Sequence, residues 1–404
     1  MTLPVTCLLL LAGAEGGHEH ISFSAALSAA ELRPEMRSVE ARLRTRRALD
    51  DGLGRLASDP TLQLSPGYRV APEGNPSGLD ASVGIQQSLN LEGWGQARQQ
   101  AAAAEQEVLA HRASAVRRGL RRNAAQAWLR VWTLSHELEL RRRMFEDART
   151  LEEQSRRRLE LGMGRRTEVA HAHGFVARAR LDFLDAEGRL FDAAIALATA
   201  CGGDGPMFTE GGPPRVAPPS LDAEILDVSI DPEVLAARKE VDAATRREKE
   251  ASAQDGWQIS TGLSLTHEPR EQFISAATLG LTLPVSGRNR RAHAARAADR
   301  AAAEQARSAA ELSMRLLRVR AIHEVEHSRQ VHGEYVSSLV PALNEELAAL
   351  ERELELGAVA LRQVIDARMR LLDAELAASR AHAQLHAASF DLSLLVAGEL
   401  EPSS

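Results

Sequence analysis

Aromatic residues are scarce in this chain, at 3% of its 404 positions. This excludes large aromatic cores, so most of the packing must come from small and aliphatic side chains. The only two cysteines, Cys7 and Cys201, cannot form a disulfide framework. The formal net charge is -7, and the arginines are interspersed with acids, which leaves no basic face for nucleic acid.

Long apolar runs are also missing beyond the N-terminus. The segment from Leu3 to Ala12, followed by Gly13-Ala14, resembles the apolar core and cleavage site of a secretory signal, although no basic residues precede it. An ordinary buried N-terminus is the alternative. No later segment is long and apolar enough for a transmembrane helix. If the chain enters a membrane, it must do so with strands.

An internal repeat is the most informative feature that is present. Ala, Leu, Arg and Glu dominate the composition, which is typical of long helices. Three pairs of segments recur in the same order, about 200 residues apart: 159–162 with 354–357, 33–36 with 231–234, and 83–85 with 279–281. The pattern predicts one large supersecondary unit that is used twice.

The repeat divides the chain into five parts. We predict a signal segment (1–14), a first repeat (15–206), a Gly/Pro-rich linker (207–220), a second repeat (221–398) and a C-terminal tail (399–404).

Each repeat is predicted to contain a helix, two strands, a long helix and a second helix. In the first repeat these are helix 22–57, two strands within 61–91, helix 96–161 and helix 165–200. In the second they are helix 221–253, strands 257–266 and 273–285, helix 288–356 with a kink at Pro341, and helix 360–396. The long helix of the first repeat would span about 100 Å. A glycine turn joins it to the next helix, which predicts an antiparallel hairpin.

The predicted strands alternate apolar and polar residues. Trp257, Ile259 and Leu263 alternate with polar or small residues, and so do Leu279 and Leu281. The strands are roughly ten residues or longer, which suits a tilted outer-membrane span. A half-buried sheet in a soluble α+β protein is the alternative. Four strands cannot close a barrel, so the membrane interpretation requires several chains.

Several stretches are similar to one known family. These are the opening segments 21–27 and 33–36, the strand exits 83–101 and 279–298, and the hairpin tips at Leu161-Gly162 and Leu356-Gly357. Together they resemble the outer-membrane efflux protein family, the TolC-like channel proteins. Each motif is degenerate, and it is their duplicated order that carries the resemblance.

The resemblance implies a mainly α fold with a small β part, assembled as a homotrimer. Each chain would give four strands to a twelve-stranded outer-membrane β-barrel and its helices to an α-barrel tunnel in the periplasm of a Gram-negative bacterium. The implied function is the passive exit duct of a tripartite efflux or type I secretion system. A periplasmic adaptor protein and an inner-membrane transporter are the implied partners, with outer-membrane lipid around the barrel. Neither a cofactor nor enzymatic activity is expected. A periplasmic coiled-coil scaffold without a pore is the alternative.

The resemblance also points to residues near the hairpin tips. In the family, acidic positions six and nine residues after the second tip glycine ring the closed aperture. These positions are Gln363 and Asp366 here, and their first-repeat equivalents are Glu168 and His171. Three copies of Asp366 around one axis would form a negative constriction.

Simpler interpretations exist for the same residues. Asp366 could pair with Arg362 or Arg370 on a solvated helix. The turns Gly162-Met163-Gly164 and Gly357-Ala358-Val359 are expected to contact the adaptor, but glycine at a helix end needs no partner to explain it.

One motif favours a different class of protein. His323-Glu324-Val325-Glu326-His327 matches the zinc-protease pattern H-E-x-x-H. His323 and His327 could bind zinc, with Glu324 as the base. The charged surroundings, and the absence of a third ligand at the expected spacing, favour a chance match. A zinc peptidase is therefore the least favoured function.

Overall fold

The computed structural model describes residues 19–51, 59–70, 78–90, 93–213, 227–254, 256–268, 272–282 and 290–397. The predicted signal segment and C-terminal tail lie outside the described residues.

Within those residues, the order of elements follows the predicted repeat. The first half forms β1 (Glu19–Ile21), α1 (Phe23–Glu31), α2 (Pro34–Asp51), β2 (Thr61–Arg69), β3 (Gly78–Asn90), α3 (Trp94–Glu160), α4 (Arg166–Cys201) and β4 (Met207–Thr209). The second half forms α5 (Pro232–Gln254), β5 (Gln258–Glu268), β6 (Gln272–Thr282), α6 (Arg290–Glu334), α7 (Val340–Glu355) and α8 (Leu361–Ala397). The mainly α fold class, with its duplicated helix–strand–strand–helix–helix order, is confirmed.

The chain divides into two compact units, and each unit draws on both halves of the sequence. One unit contains the described parts of 1–37, 116–227 and 315–404, and the other contains those of 38–115 and 228–314. The boundaries of the sequence repeats stay a prediction, because a division into compact units does not show where a duplicated segment begins or ends.

The first predicted helix, 22–57, is two helices in the structure. Ser22 starts α1, where its Oγ accepts a hydrogen bond from the backbone N–H of Ala25 at 3.3 Å. The break falls before Pro34, because proline disfavours helical backbone at the residue before it and is itself well suited to a first helical turn. The prediction of one continuous helix was wrong for this reason.

A small parallel sheet was not predicted. Strand β4 lies within the stretch assigned to the linker and pairs with β1, with Glu19 opposite Met207 and Ile21 opposite Thr209. Three-residue strands carry too little alternation to be recognised in a sequence. The pairing fixes the start of the described chain against the segment that follows α4.

Several of the scarce aromatic residues pack in the core beside this small sheet. Trp128 is 0% exposed, and its indole N–H donates to the carbonyl of Ile21 at 2.9 Å. Phe23 packs edge-on against both Trp128 and Phe390, with ring centroids 5.3 Å apart in each pair. This cluster holds β1 against α3, α4 and α8.

The larger sheet joins the two halves of the sequence. It is antiparallel throughout, in the order β2-β3-β5-β6. The halves meet at the β3–β5 pair, where Val83 lies opposite Leu265 and Ile85 opposite Leu263. Strands β2 and β6 form its two edges.

The two faces of this sheet differ in chemistry, as the alternation predicts. Its apolar face is exposed, with Leu62 64%, Leu79 75%, Ile85 51%, Leu263 65% and Leu279 79% exposed. A half-buried sheet of a soluble protein would cover such a face. The polar face carries serine, threonine, glutamine and glycine.

The polar face is the less exposed one. Gly84 and Ser264 are half-buried, whereas the neighbouring Val83 and Leu265 are exposed. The hydroxyls of Thr278 and Ser260 lie where a Cβ on Gly262 or Gly280 would be, at 2.6 and 2.5 Å from it, so they occupy the space that each glycine leaves open. The sheet therefore exposes its apolar side more than its polar side.

The predicted kink at Pro341 is present as a π turn. Residues Tyr335–Leu339 form it between α6 and α7. Proline lacks a backbone N–H, and its ring clashes with the carbonyl four residues earlier, so the preceding turn widens. No helix in the described ranges combines the length and the apolar composition needed to cross a membrane.

We predict that Trp128→Phe lowers the free energy of unfolding by about 1–3 kcal/mol, because the carbonyl of Ile21 loses one of its two donors and keeps only the backbone N–H of Glu210. Trp94→Phe is the matched control, since the indole N–H of Trp94 has no hydrogen-bond partner among the described residues. Denaturant unfolding followed by far-UV circular dichroism measures both. Equal losses for the two variants would contradict the role given to the Trp128 hydrogen bond.

Candidate functional site

The two hairpin tips have the same backbone geometry. Gly162 and Gly357 adopt left-handed conformations, with φ of 73° and 74°. After Gly162, the N–H of Met163 donates to Arg158 O at 2.9 Å, while that of Gly162 donates to Leu159 O at 3.0 Å. Gly357 and Ala358 repeat this pair of bonds at 3.0 and 2.8 Å. Both long helices therefore end in a Schellman motif, which satisfies their last carbonyls and requires glycine at the left-handed position.

The helices that follow the tips also begin alike. Glu168 Oε2 accepts a hydrogen bond from the backbone N–H of Arg165 at 3.4 Å. Gln363 Oε1 accepts from the N–H of Ala360 at 3.2 Å. In each case the side chain reaches back three residues to an otherwise unpaired donor. An amide serves this purpose as well as a carboxylate, which accounts for Gln at one position and Glu at the other.

The predicted aperture residues lie on solvent-facing parts of their helices. Gln363 and Asp366 are exposed on α8, and each is followed directly by a buried residue, Val364 and Ala367 respectively. On α4, His171 is exposed and Glu168 is half-buried. Within one chain the structure places these side chains on open surface, and the ring they would form stays a prediction.

The simpler interpretation of Asp366 has support in the structure. Its carboxylate lies 3.7 Å from the guanidinium of Arg362, with side chains 59% and 73% exposed. An exposed pair of this kind contributes little to stability. Arg370, the other candidate partner, lies 2.7 Å from Glu346 instead. The Arg362 contact leaves the Asp366 carboxylate accessible.

The two tips are held to each other. Arg158 donates from Nη1 to the carbonyl of Leu354 at 3.2 Å. Arg368 reaches Glu351 at 2.6 Å and Asp147 at 3.1 Å, which ties α8 to both long helices. Beneath these contacts lies an apolar cluster from both hairpins: Met144, Ala148, Leu151, Ala172, Phe175, Ala179, Leu361, Ile365, Leu372 and Leu376. The tips therefore form one surface with a packed base.

The zinc-protease pattern does not form a recognisable metal centre. His323 and His327 are exposed on α6, with parallel rings whose centroids are 5.9 Å apart. Glu326 is paired with Arg329 at 3.0 Å. In the part of the chain that the structure describes, no group of three or more His, Cys, Asp or Glu side chains is arranged to hold a metal ion.

A buried carboxylate between helices was missed by the sequence reasoning. Glu137 on α3 is 2% exposed and receives hydrogen bonds from Arg189 of α4 at 2.9 Å and Arg380 of α8 at 3.1 Å. Burial alone would raise the pKa of Glu137, but the hydrogen bonds from Arg380 and Arg189 outweigh it and hold that pKa below its usual value. The network ties three helices together, and only their packing could reveal it.

The spacing of His382 and His386 in the sequence is only a weak indication of metal binding, and the group of imidazoles around them is brought together by packing. His382 lies between its neighbours His386 and His332, with Trp132 edge-on to its ring at 5.5 Å. Burial lowers the pKa of His382 to about 4, and the nearby His386, His332 and His136 add to this effect. His382 is therefore a neutral imidazole at neutral pH.

Helix α4 carries two apolar faces. One is buried within the chain, and the other is exposed at Leu181 67%, Leu184 48%, Phe191 47% and Ile195 41%. The exposed residues are spaced by three, seven and four positions, which matches a heptad seam that passes through Gly188. A second exposed stripe lies on α6, at Leu312, Leu316 and Val319. A helix with two apolar faces is suited to packing against a neighbour on each of them.

Comparison with known protein families identifies the first repeat. Residues 26–203 match the family model described as "Outer membrane efflux protein". Over its first repeat the chain is therefore similar to the outer membrane efflux protein family. The resemblance seen in the sequence is confirmed over these residues, and it supports a role in efflux at the Gram-negative outer membrane. No curated protein matches the chain in sequence.

Solved structures share the fold of this chain over nearly its whole length. A membrane protein from Pseudomonas aeruginosa is similar with a TM-score of 0.80 and 19% identity, covering 93% of each chain. The outer membrane protein VceC from Vibrio cholerae is similar with a TM-score of 0.78 and 16% identity. The match covers 94% of this chain and 97% of the VceC chain. The open-state MtrE channel of Neisseria gonorrhoeae is similar with a TM-score of 0.78 and 18% identity. The match covers 93% of this chain and 88% of the MtrE chain. At these identities the likeness concerns the fold.

We predict that Gly357→Ala destabilises the protein by about 1 kcal/mol, because a side chain is strained at a positive φ. Gly174→Ala is the control: Gly174 is an exposed glycine of α4, and no described atom outside the local helix lies within 4 Å of an added Cβ. That change should stabilise α4 by about 1 kcal/mol. Opposite shifts in the thermal unfolding midpoint are expected. Shifts of the same sign would argue against the tip geometry.

Proposed function

We propose that three copies of this chain form the exit duct of a tripartite efflux or type I secretion system. The observation that carries the proposal is the β2-β3-β5-β6 sheet, with its exposed apolar face and less exposed polar face. An apolar outside and a polar inside are the two surfaces of a transmembrane β-barrel that surrounds water.

The number of chains follows from the edges of the sheet. Among the residues that the structure describes, strands β2 and β6 each pair on one side only. An unpaired strand edge cannot remain in lipid, because each unsatisfied backbone group costs several kcal/mol there. Four strands are too few to enclose a lumen, whereas three copies would supply twelve and leave no edge. The family expectation of a homotrimer has the same stoichiometry.

The helices offer a matching set of surfaces for such an assembly. The exposed heptad seam of α4 and the stripe on α6 are apolar surfaces that a second copy could cover. Much of the N-terminal half of α6 is exposed and rich in alanine, and small side chains let helices approach closely. We infer that these surfaces form the contacts between neighbouring chains in the tunnel wall.

The tips are the proposed periplasmic end of the duct. The exposed turns Gly162-Met163-Gly164 and Gly357-Ala358-Val359 would meet the adaptor protein, and an inner-membrane transporter would supply the energy. Asp366 would line the aperture, with its accessible carboxylate facing those of two other copies. In this role the chain conducts substrate passively, with no bond chemistry and no cofactor.

A periplasmic scaffold without a pore is the second candidate, and the sheet weighs against it. Such a scaffold would gain nothing from a four-stranded sheet that exposes its apolar face. The zinc peptidase is supported only by the spacing of His323 and His327, which are exposed and separated.

We predict that Phe191→Lys weakens trimer formation in detergent, because the seam would bury an unpaired charge at each interface. Asp192→Lys is the matched control, since the neighbouring Asp192 is exposed outside the apolar seam. Sedimentation velocity over a dilution series measures the trimer fraction. If Phe191→Lys remains trimeric to the same dilution as the wild type, the seam is not an interface between copies.

We predict that Asp366→Asn weakens the block of single-channel current by divalent cations and raises conductance in their presence, because a ring of three carboxylates attracts such ions. Glu168→Gln should give a smaller effect in the same direction. Gln363→Ala is the control, being a change on the same helix at a residue without charge, and little effect is expected. Conductance in planar bilayers with and without divalent ions provides the test. Wild-type block in Asp366→Asn would place the constriction elsewhere.

A further inference from the structure

The imidazoles around His382 include one pair with a special geometry. His382 and His386 lie one turn apart on α8, and their Nε2 atoms are 3.0 Å apart. The ring of His332, from the last turn of α6, stacks on His382 with centroids 4.9 Å apart. Trp132 of α3 packs edge-on against another side of the His382 ring, with the two ring centroids 5.5 Å apart. Packing against two other helices therefore fixes the His382 ring.

A contact of 3.0 Å between two ring nitrogens requires a lone pair on at least one of them. One imidazole donates its N–H and the other accepts, so at least one of the two rings is neutral. The two Nε2 atoms face each other across this gap of 3.0 Å, which a hydrogen bond bridges. A metal ion could bind both nitrogens in place of this hydrogen bond if both neutral rings carry their remaining proton on Nδ1.

The distance indicates which ions fit. Two nitrogens that each lie about 2.1 Å from an ion, at an angle of about 90°, are about 3.0 Å apart. A tetrahedral angle would separate them by about 3.4 Å. Angles near 90° are those of square-planar and octahedral sites, which imidazole ligands form with Cu²⁺ and Ni²⁺.

We propose that His382 and His386 form a binding site for one divalent transition-metal ion per chain, with Cu²⁺ and Ni²⁺ preferred over Zn²⁺. The Nε2 atoms of both residues are the ligands, and water completes the coordination. The rings are half-buried, so the site is open enough for an ion to enter. It does not depend on the chain acting as a duct.

The other histidine pair with the same sequence spacing lacks this arrangement. His323 and His327 are exposed, and their rings are parallel at 5.9 Å without a hydrogen bond between them among the described contacts. A chelating pair held in place by packing loses less side-chain entropy on binding than a free pair. The two pairs therefore serve as a test and its control within one molecule.

The experiment uses the untagged full chain in detergent, titrated with Ni²⁺ by calorimetry at neutral pH. We expect one ion per chain in the wild type. His382→Gln and His386→Gln should each lower the affinity about tenfold or more, since either change leaves a single ligand. The double variant His323→Gln/His327→Gln should retain wild-type binding. Circular dichroism of each variant checks that the helices are intact, and the two single variants are independent tests if one of them misfolds.

Electron paramagnetic resonance of bound Cu²⁺ gives a second readout. Hyperfine coupling to two equatorial nitrogens is expected in the wild type, and coupling to one in either single variant. Absence of binding in the wild type would overturn the proposal. So would unchanged affinity in both single variants, or loss of binding only in the His323/His327 variant. None of these results would bear on trimer formation or conductance.

Discussion

The structure depends on the need to satisfy every backbone hydrogen bond of a sheet whose outer face is apolar. Within one chain, β2 and β6 each leave one side unpaired, while leucine, isoleucine and valine side chains cover the exposed face. In water this face is unfavourable, and in lipid the open edges are unfavourable. The proposed closure with two other copies would remove both problems. On this proposal the sheet makes the single chain an incomplete unit.

The helices obey a related constraint. Helix α4 buries one apolar face on α3 and α8 and exposes another, and α6 exposes a stripe of its own. With 3% aromatic residues, the chain has little material for a thick core. Instead it packs its large side chains in separate small clusters, around Trp128 and near the tips, and uses alanine along the long helices. Thin layers of helices that touch neighbours on two sides suit the wall of a tunnel better than a globular interior.

Features set by local sequence could be predicted, and those set by packing could not. The glycines of both tips, the alternation of the four strands and the break near Pro341 each have a local cause, and the structure contains all three. The short β1–β4 pair and the Glu137 network bring together residues far apart in the sequence. At the tips, the sequence reasoning identified positions 168 and 363 but missed that both side chains cap the next helix.

Cross-linking between the two sheet edges tests the central claim most directly. In a background with both native cysteines replaced by serine, Gln63→Cys on β2 and Thr278→Cys on β6 place one thiol on the polar side of each edge. A short bismaleimide should then convert the membrane-embedded protein into covalent trimers with no larger species, because three sheets close on one another. Single-cysteine variants should give no trimer. Monomers alone, or an open ladder of higher multimers, would contradict closure of one barrel by three chains.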